Sequence, residues 1–295
     1  MRLNSVEIED TFAEAFTSYY SRFIITAASE KWAKIAAQEA TGYGTSLVGC
    51  ASEAGIERYI SPEETPDKRP GYAVQVWAPK GKIKDELLGR IGQCVLTAPT
   101  TAVWNFCDSE EKLDIGYKLR FFGDGYERVE KRYGREVVAI PIMLGEFLIE
   151  KELGIGRGIA GGNFLILADK QESALEAAEK AVGAVSSVVG VITPFPGGVC
   201  ASGSKVGSRK YKFMRATTNE QCCPTICNRV EKTKVRGMGA VAEIVIDGIS
   251  EGSVREAMRA GIESAAKARG VKKITAANYG GALGNVRIYL RELLR

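Results

Sequence analysis

A single glutamate stands where an acid costs most. Glu243 lies within Ala240-Val241-Ala242-Glu243-Ile244-Val245-Ile246, a segment that reads as a strand apolar on both faces. A carboxyl held there loses hydration, which drives its pKa toward neutrality unless a partner cancels the effect. Such a group suits proton transfer, and equally a salt-bridged structural carboxylate. The sequence narrows the chemistry further, because its 295 residues include no histidine. Ser-His-Asp and Cys-His triads are thereby excluded, as are histidine-ligated metals. Proton transfer falls to carboxyl, Lys, Tyr, Cys or water.

Other stretches invite a reading. Lys205, Arg209, Lys210, Lys212 and Arg215 follow one another without an intervening acid, interleaved with Tyr211 and Phe213. They fit a solvated loop, a landing strip for a substrate with several carboxylates or phosphates, or RNA. Cys222, Cys223 and Cys227, with Cys200 as a fourth, lack the CxxC spacing of a closed zinc site and read as free thiols. Gly156-Arg157-Gly158-Ile159-Ala160-Gly161 spells the dinucleotide fingerprint. It precedes a strand instead of linking strand to helix, so it reads as an inter-lobe loop. The turns Thr193–Gly198 and Asn278-Tyr279-Gly280-Gly281 could offer backbone N–H groups to an oxyanion or a planar ring.

These residues need a scaffold. Phe164–Ala168 is expected as a strand, Asp169–Ser187 as a helix opened by an Asp169/Glu172 capping box, and Val188–Ile192 as a strand. The helix stripe is Leu175, Ala178, Val182 and Val185. A second unit has the same plan, with strand Val241–Asp247, a helix capped by Ser253 and Glu256, and strand Val271–Thr275. Upstream, residues 1–21 are expected as an opening strand or arm, and Phe23–Thr26, a helix from Ser29 with Trp32, Ile35, Ala36 and Ala40 inward, and Thr45–Gly49 form one βαβ unit. A loop, Ala51–Gly71, separates it from Tyr72–Trp77, Lys82–Leu96 and Ala102–Phe106. Tyr117–Phe122 and Glu136–Pro141 are expected as a hairpin, and Val286–Leu290 as a final strand. The pattern predicts an α+β fold: two fused ferredoxin-like (split βαβ) lobes, antiparallel sheets with helices on one face, divided as residues 1–146 and 147–295.

The balance of 40 basic and 36 acidic residues gives +4, and 45% hydrophobic with 26% charged residues is ordinary for a globular protein. No apolar run is long enough for a bilayer, and the acidic start does not fit a secretory signal. A cytoplasmic setting is expected. Seven cysteines make no disulfide framework.

Several long words carry a resemblance: Ser5–Phe16 (SVEIEDTFAEAF), Glu53–Arg58 (EAGIER), Arg90–Thr101 (RIGQCVLTAPTT), Phe121–Gly125 (FFGDG), Ile159–Phe164 (IAGGNF), Thr193–Gly198 (TPFPGG) and Asn278–Gly281 (NYGG). Together they resemble the formylmethanofuran:tetrahydromethanopterin formyltransferase family across essentially the whole chain. The resemblance implies transfer of a formyl group from formylmethanofuran to the 5-nitrogen of tetrahydromethanopterin, in the one-carbon metabolism of methanogenic and related archaea. It implies two ferredoxin-like lobes, a homo-oligomer built as a dimer of dimers, and no tightly bound cofactor or metal. The partners are the small-molecule carriers, with no nucleic acid and no membrane. By resemblance Glu243 is the catalytic acid–base group. The substrate-binding residues are expected to be Gly161, Gly162, Asn163, Thr193, Pro194, Phe195, Pro196, Gly197, Gly198, Lys205, Lys210, Asn278, Tyr279 and Gly280. Some members of that family are very acidic, which this chain is not. A carrier-binding subunit of a formyltransferase/hydrolase complex, and an RNA-binding split-βαβ protein, are the alternatives.

Overall fold

The computed structural model describes residues 1–294. Ser18–Arg157 form one compact unit, and Met1–Thr17 form another with the chain from Gly158 onward. The compact units are therefore not the consecutive halves 1–146 and 147–295, because the opening arm belongs with the later half. The strands Phe12–Thr26 and Leu153–Ala168 each run from one unit into the other. The first was expected as an arm plus a short strand. It runs unbroken because FAEAFTSYYSRFIIT holds neither Gly nor Pro and is rich in aromatic and β-branched residues. The second absorbs Gly156–Gly161, so the dinucleotide spelling lies inside a strand, with no helix to open at its end.

In the unit of residues 18–157 the antiparallel order is Glu53–Ile60, Gly71–Ala78, Phe12–Thr26, Ala102–Asn105. Gly145–Glu150 joins Ala102–Asn105 in parallel and continues to Arg135–Ile142 and Arg128–Arg132. Helices Glu30–Thr41 and Ile83–Arg90 pack their apolar residues into a core with Phe23, Val74 and Val103. Trp32, expected inward, is 37% exposed, and Ala33, Ala36, Ala37 and Ala40 make the buried stripe. Thr45–Gly49 forms turns, and the returning strand is Glu53–Ile60, inside the expected loop. Its acids hid it. Glu57 is buried, yet Arg22 pairs with it at 2.6 Å and the Gln75 amide donates to it at 2.8 Å. Tyr117–Phe122 is helical, and the hairpin pairs Arg128–Arg132 with Arg135–Ile142.

In the other unit the order is Val6–Ile8, Val271–Thr275, Leu153–Ala168, Ala240–Gly248, Val191–Ile192. All neighbours are antiparallel except Val6–Ile8 with Val271–Thr275. Helices Gln171–Val185 and Glu251–Ala265 cover one face, where Phe164, Ile166, Ile244 and Ile246 meet Ala177, Ala181, Val254 and Met258. The period of two then turns Leu165, Leu167, Val241 and Glu243 to the opposite face. There Leu165 and Leu167 pack on Val235, with Cys222 and Cys227 against them. The basic Gly197–Val235 insertion thus supplies the cover for that face.

Two helix starts differ from expectation. Lys170 is the N-cap of Gln171–Val185, without a side-chain cap bond, so the Asp169/Glu172 box does not form. Leu175 is 51% exposed; the buried stripe is Ala174, Ala177, Ala178, Ala181 and Val185. Glu251–Ala265 starts three residues earlier than expected, and Ser250 with Ser253 forms its capping box. Ser250→Ala is expected to cost about 1 kcal/mol, read as a lower midpoint in thermal unfolding. No described helix is long and apolar enough to cross a membrane.

Candidate active site

Glu243 pairs across the sheet with Leu165 on one side and Cys200 on the other. The Cys200 N–H donates to the Glu243 carbonyl at 2.8 Å, and the Glu243 N–H returns a bond to the Cys200 carbonyl at 3.2 Å. The strand is not apolar on both faces in use. Ala242, Ile244 and Ile246 fill the core, whereas Glu243 is half-buried on the other face. There it lines a cavity of about 150 Å³ with Leu165, Cys200, Ser202, Asn219, Cys222, Cys223 and Thr225. Burial pushes the Glu243 carboxyl up to about 7, against a smaller opposing pull from the Cys200 side chain. Burial, and the nearby Glu243 charge, push the Cys200 thiol up as well, which keeps it protonated. A carboxyl near 7 exchanges protons in either direction at neutral pH.

Two further cavities follow in series, the second sharing walls with the first and the third with the second. One of about 190 Å³ reuses Leu165, Asn219 and Cys222, and adds Lys205, Lys234, Thr275, Asn278 and Tyr279. The next, about 340 Å³, reuses Lys205 and Glu220, and adds Arg209, Lys210, Tyr211 and Arg229. Apolar and thiol-lined walls near the carboxyl thus give way to a basic limb. Lys205 is paired with Glu220 at 2.5 Å, so part of that positive charge is offset. The limb suits an anionic extended ligand with a small reacting head near Glu243.

Tyr279 enters the second cavity from the segment Asn278–Gly284, which wraps a carboxylate that sequence reading missed. Glu14, 3% exposed, accepts backbone N–H bonds from Tyr279, Gly281, Leu283 and Gly284 at 2.5–2.9 Å. Burial alone would raise its pKa; the four bonds outweigh burial and hold it near 2. Burial raises the Tyr279 phenol, helped by the charges of Glu243 and Glu14. The signal was available. Glu14 sits between Ala13 and Ala15 in an aromatic-flanked segment, the same oddity that drew attention to Glu243.

The structure gathers Glu243, Lys205, Asn278 and Tyr279 into these cavities, with Lys210 at the basic end. The other expected ligand-binding residues have different partners. Gly161, at φ +82°, gives its N–H to Asp247 Oδ1 at 2.9 Å, in a strand irregularity between Ile159 and Gly162. Gly162 faces helix Glu251–Ala265, where an added Cβ would meet Val254 Cγ1 at 2.4 Å. Asn163 is buried; its amide donates to the Gly161 and Ala277 carbonyls and accepts the Ala277 N–H at 2.7 Å. It pins the chain just before Asn278. In Thr193–Gly198, Pro194 is buried while Pro196 and Gly197 are exposed, and Gly198 lies against Val182. Thr193, Phe195 and their neighbours line none of the three cavities and lead the chain into Cys200.

Four of the turn amides are already engaged within the protein. The Gly198 N–H bonds the Phe195 carbonyl at 2.8 Å, that of Gly280 bonds Asn278 Oδ1, and those of Tyr279 and Gly281 go to Glu14. Polar side chains that do line the first cavity are Ser202, Asn219 and Thr225. The thiols of Cys200, Cys222 and Cys223 line it too, and no described cluster could hold a metal ion.

Two family models cover the chain. The model described as formylmethanofuran-tetrahydromethanopterin formyltransferase matches residues 1–142, and that for its proximal lobe matches residues 145–293. A formylmethanofuran–tetrahydromethanopterin formyltransferase of Methanothermobacter thermautotrophicus is 58% identical, over 99% of this chain and all of its own. That of Methanocaldococcus jannaschii is 57% identical over 99% of each chain. The solved formyltransferase of Methanosarcina barkeri superposes with a TM-score of 0.95 at 53% identity, covering 99% of this chain and 100% of its own. A chain of the formyltransferase/hydrolase complex of Methylorubrum extorquens, solved with methylofuran, also reaches 0.95, at 42% identity, over 100% of this chain and 99% of its own. With both halves matched by its models and full-length relatives above half identity, the chain belongs to the formylmethanofuran–tetrahydromethanopterin formyltransferase family.

Proposed function

We propose that this chain is the enzyme that moves a formyl group from formylmethanofuran to the 5-nitrogen of tetrahydromethanopterin, with Glu243 carrying the proton. The observation behind the catalytic assignment is a half-buried carboxyl, raised by burial to about 7, that lines a cavity linked through a shared-wall neighbour to a basic limb. The pterin nitrogen attacks the formyl carbon, and a tetrahedral oxyanion forms. The Glu243 carboxylate accepts the proton that the attacking nitrogen loses. It returns that proton to the methanofuran nitrogen as the carbon–nitrogen bond breaks. The same atom therefore serves as base and then acid, which a pKa near 7 suits in both steps. Ser202 and Asn219, which line the same cavity, are the side chains we assign as donors to the developing oxyanion. Holding two carriers in one cleft removes much of the entropic barrier, up to roughly 7–11 kcal/mol in well-oriented systems. Transfer between two nitrogens is redox-neutral, so the reading includes no tightly bound cofactor.

The basic limb is read as the seat of an anionic carrier tail. Lys205→Ala with Lys210→Ala is expected to raise the KM of one carrier about tenfold, an effect that shrinks as ionic strength rises. Steady-state kinetics at two salt concentrations checks this. The scaffold is read as two ferredoxin-like lobes. The family models meet between residues 142 and 145, which supports a division of the sequence near residue 146. Assembly as a dimer of dimers in the cytoplasm completes the reading.

A second reading, a carrier-binding subunit without activity of its own, is favoured by the relative found in a formyltransferase/hydrolase complex. One assay separates the two: the purified chain, alone, is given both carriers without added metal, and formyl appearance on the pterin is followed. Turnover supports the enzyme; carrier binding without turnover supports the subunit.

A further inference from the structure

The segment Asn278–Asn285 has no helix or strand of its own, yet it carries Asn278 and Tyr279 into the cleft wall. Its shape comes from a single carboxylate. Oε2 of Glu14 takes the N–H groups of Tyr279 and Gly281 at 2.6 and 2.9 Å, and Oε1 takes those of Leu283 and Gly284 at 2.6 and 2.5 Å. Gly280 and Gly281, at φ +71° and +78°, adopt the left-handed turn that makes these amides converge. The fold is an anion nest whose anion is the protein's own. The same strand and the residue before it tie both ends of the segment: Asn278 donates to Thr11 Oγ1 and the Phe12 carbonyl, and Asn285 bonds the Thr17 N–H and hydroxyl.

A stable loop needs no buried acid; water or neutral acceptors satisfy most turns. Here both oxygens are filled, and the residue fixed at the first donor is Tyr279, which is 41% exposed and lines the same cavity as Lys205. We propose that Glu14 is a positioning residue for formyl transfer: by filling the nest it fixes the Tyr279 ring as a face for the planar ring of a carrier. The inference rests on the function proposed above. An amide at position 14 keeps one acceptor oxygen but turns an NH2 group toward two N–H donors, so Glu14→Gln releases the loop without changing side-chain size.

The test compares wild type, Glu14→Gln, Tyr279→Ala and the double variant. Each single change is expected to raise the KM of one and the same carrier about tenfold, with kcat within about threefold. The double variant is expected to be no more than about twofold worse than either single one, because both remove the same contact. Multiplying effects, or a kcat loss with KM unchanged, would overturn the proposal. Should Glu14→Gln fail to fold, Asn285→Ala loosens the same loop with Glu14 in place, and a KM rise for a different carrier, or none, counts against it. Hydrogen exchange reads the loop without activity: amides of Tyr279, Gly281, Leu283 and Gly284 are expected to exchange about 100-fold faster in Glu14→Gln, with core strands unchanged. Unaltered protection overturns the assignment. A wild-type chain that transfers no formyl group sinks the functional reading and leaves the loop assignment to the exchange result.

Discussion

Glu243→Gln is expected to assemble and bind both carriers while turnover falls roughly 10²–10⁴-fold, the span ordinarily contributed by a positioned acid–base group. The amide is isosteric and keeps the backbone pairing with Cys200, so the sheet and cavity survive. It cannot take the proton from the attacking nitrogen or return it to the leaving one. Single-turnover rates with both carriers saturating separate this loss from weaker binding. The same change has an opposite effect on stability. Burial raises the Glu243 pKa from 4.5 to about 7 in the folded chain. Between those values the folded state holds a proton that the unfolded state has lost, so stability declines as pH rises through that window, and the penalty is complete above about 7. Gln carries no such penalty. The melting temperature of the variant should therefore exceed that of wild type in mildly alkaline buffer and approach it near pH 4. An enzyme that becomes more stable as it loses activity at one residue has placed that residue for function rather than for folding.

Gly162→Ala is expected to destabilise the fold by about 1–3 kcal/mol while leaving the KM of both carriers unchanged. Gly162 reads in sequence as part of a glycine-rich binding stretch. In the fold, its α-carbon lies against helix Glu251–Ala265, with no room for a side chain. A new methyl there would meet Val254 Cγ1 at 2.4 Å, the Ile246 carbonyl oxygen at 3.2 Å and the Met258 sulfur at 3.4 Å. Val254 and Met258 are fully buried, so neither can swing into solvent. The helix must shift or side chains must leave their rotamers, both costly in a close-packed core. Denaturant unfolding monitored alongside kinetics checks this; an intact midpoint with a raised KM would restore Gly162 to the binding site.

The contrast between these residues shows what sequence can and cannot convey. Glu243 stood out because an acid among Ala, Val and Ile violates the pattern around it. Glu14 violates its surroundings in the same way between Ala13 and Ala15, but its donors lie more than 260 positions away, on backbone amides that every residue except proline possesses. No side-chain type announces them. Lys205, Asn278 and Tyr279 stand out by charge or by a turn-forming neighbourhood, and they do reach the cleft. Gly161, Gly162 and Thr193–Gly198 look similar in sequence because a glycine needed for helix packing, a glycine needed for a left-handed turn and a glycine needed beside a ligand are spelled alike.

The same limit applies to the scaffold. Some strands were readable to their ends, as at Val271–Thr275, which the structure reproduces residue for residue. The pattern failed where tertiary partners neutralise misplaced charges, as at Glu57 in Glu53–Ile60. It failed again where a helix gains its cap from a residue just upstream, as at Ser250. The opening arm, residues 1–21, reads as a local feature, yet its Phe12–Ala15 pairs with Val286–Tyr289 from the far end of the chain. Long-range pairing of this kind leaves no local trace.

The most direct test of the account is the pH dependence of kcat/KM for formyl transfer to the pterin, measured for wild type and Glu243→Gln side by side. The wild-type rate is expected to rise through an apparent pKa close to 7, as the Glu243 carboxylate forms, and then level off. The variant should lie far below it with that limb gone. A wild-type profile flat across neutrality, or the same limb persisting in Glu243→Gln, would contradict the claim that this carboxyl carries the proton.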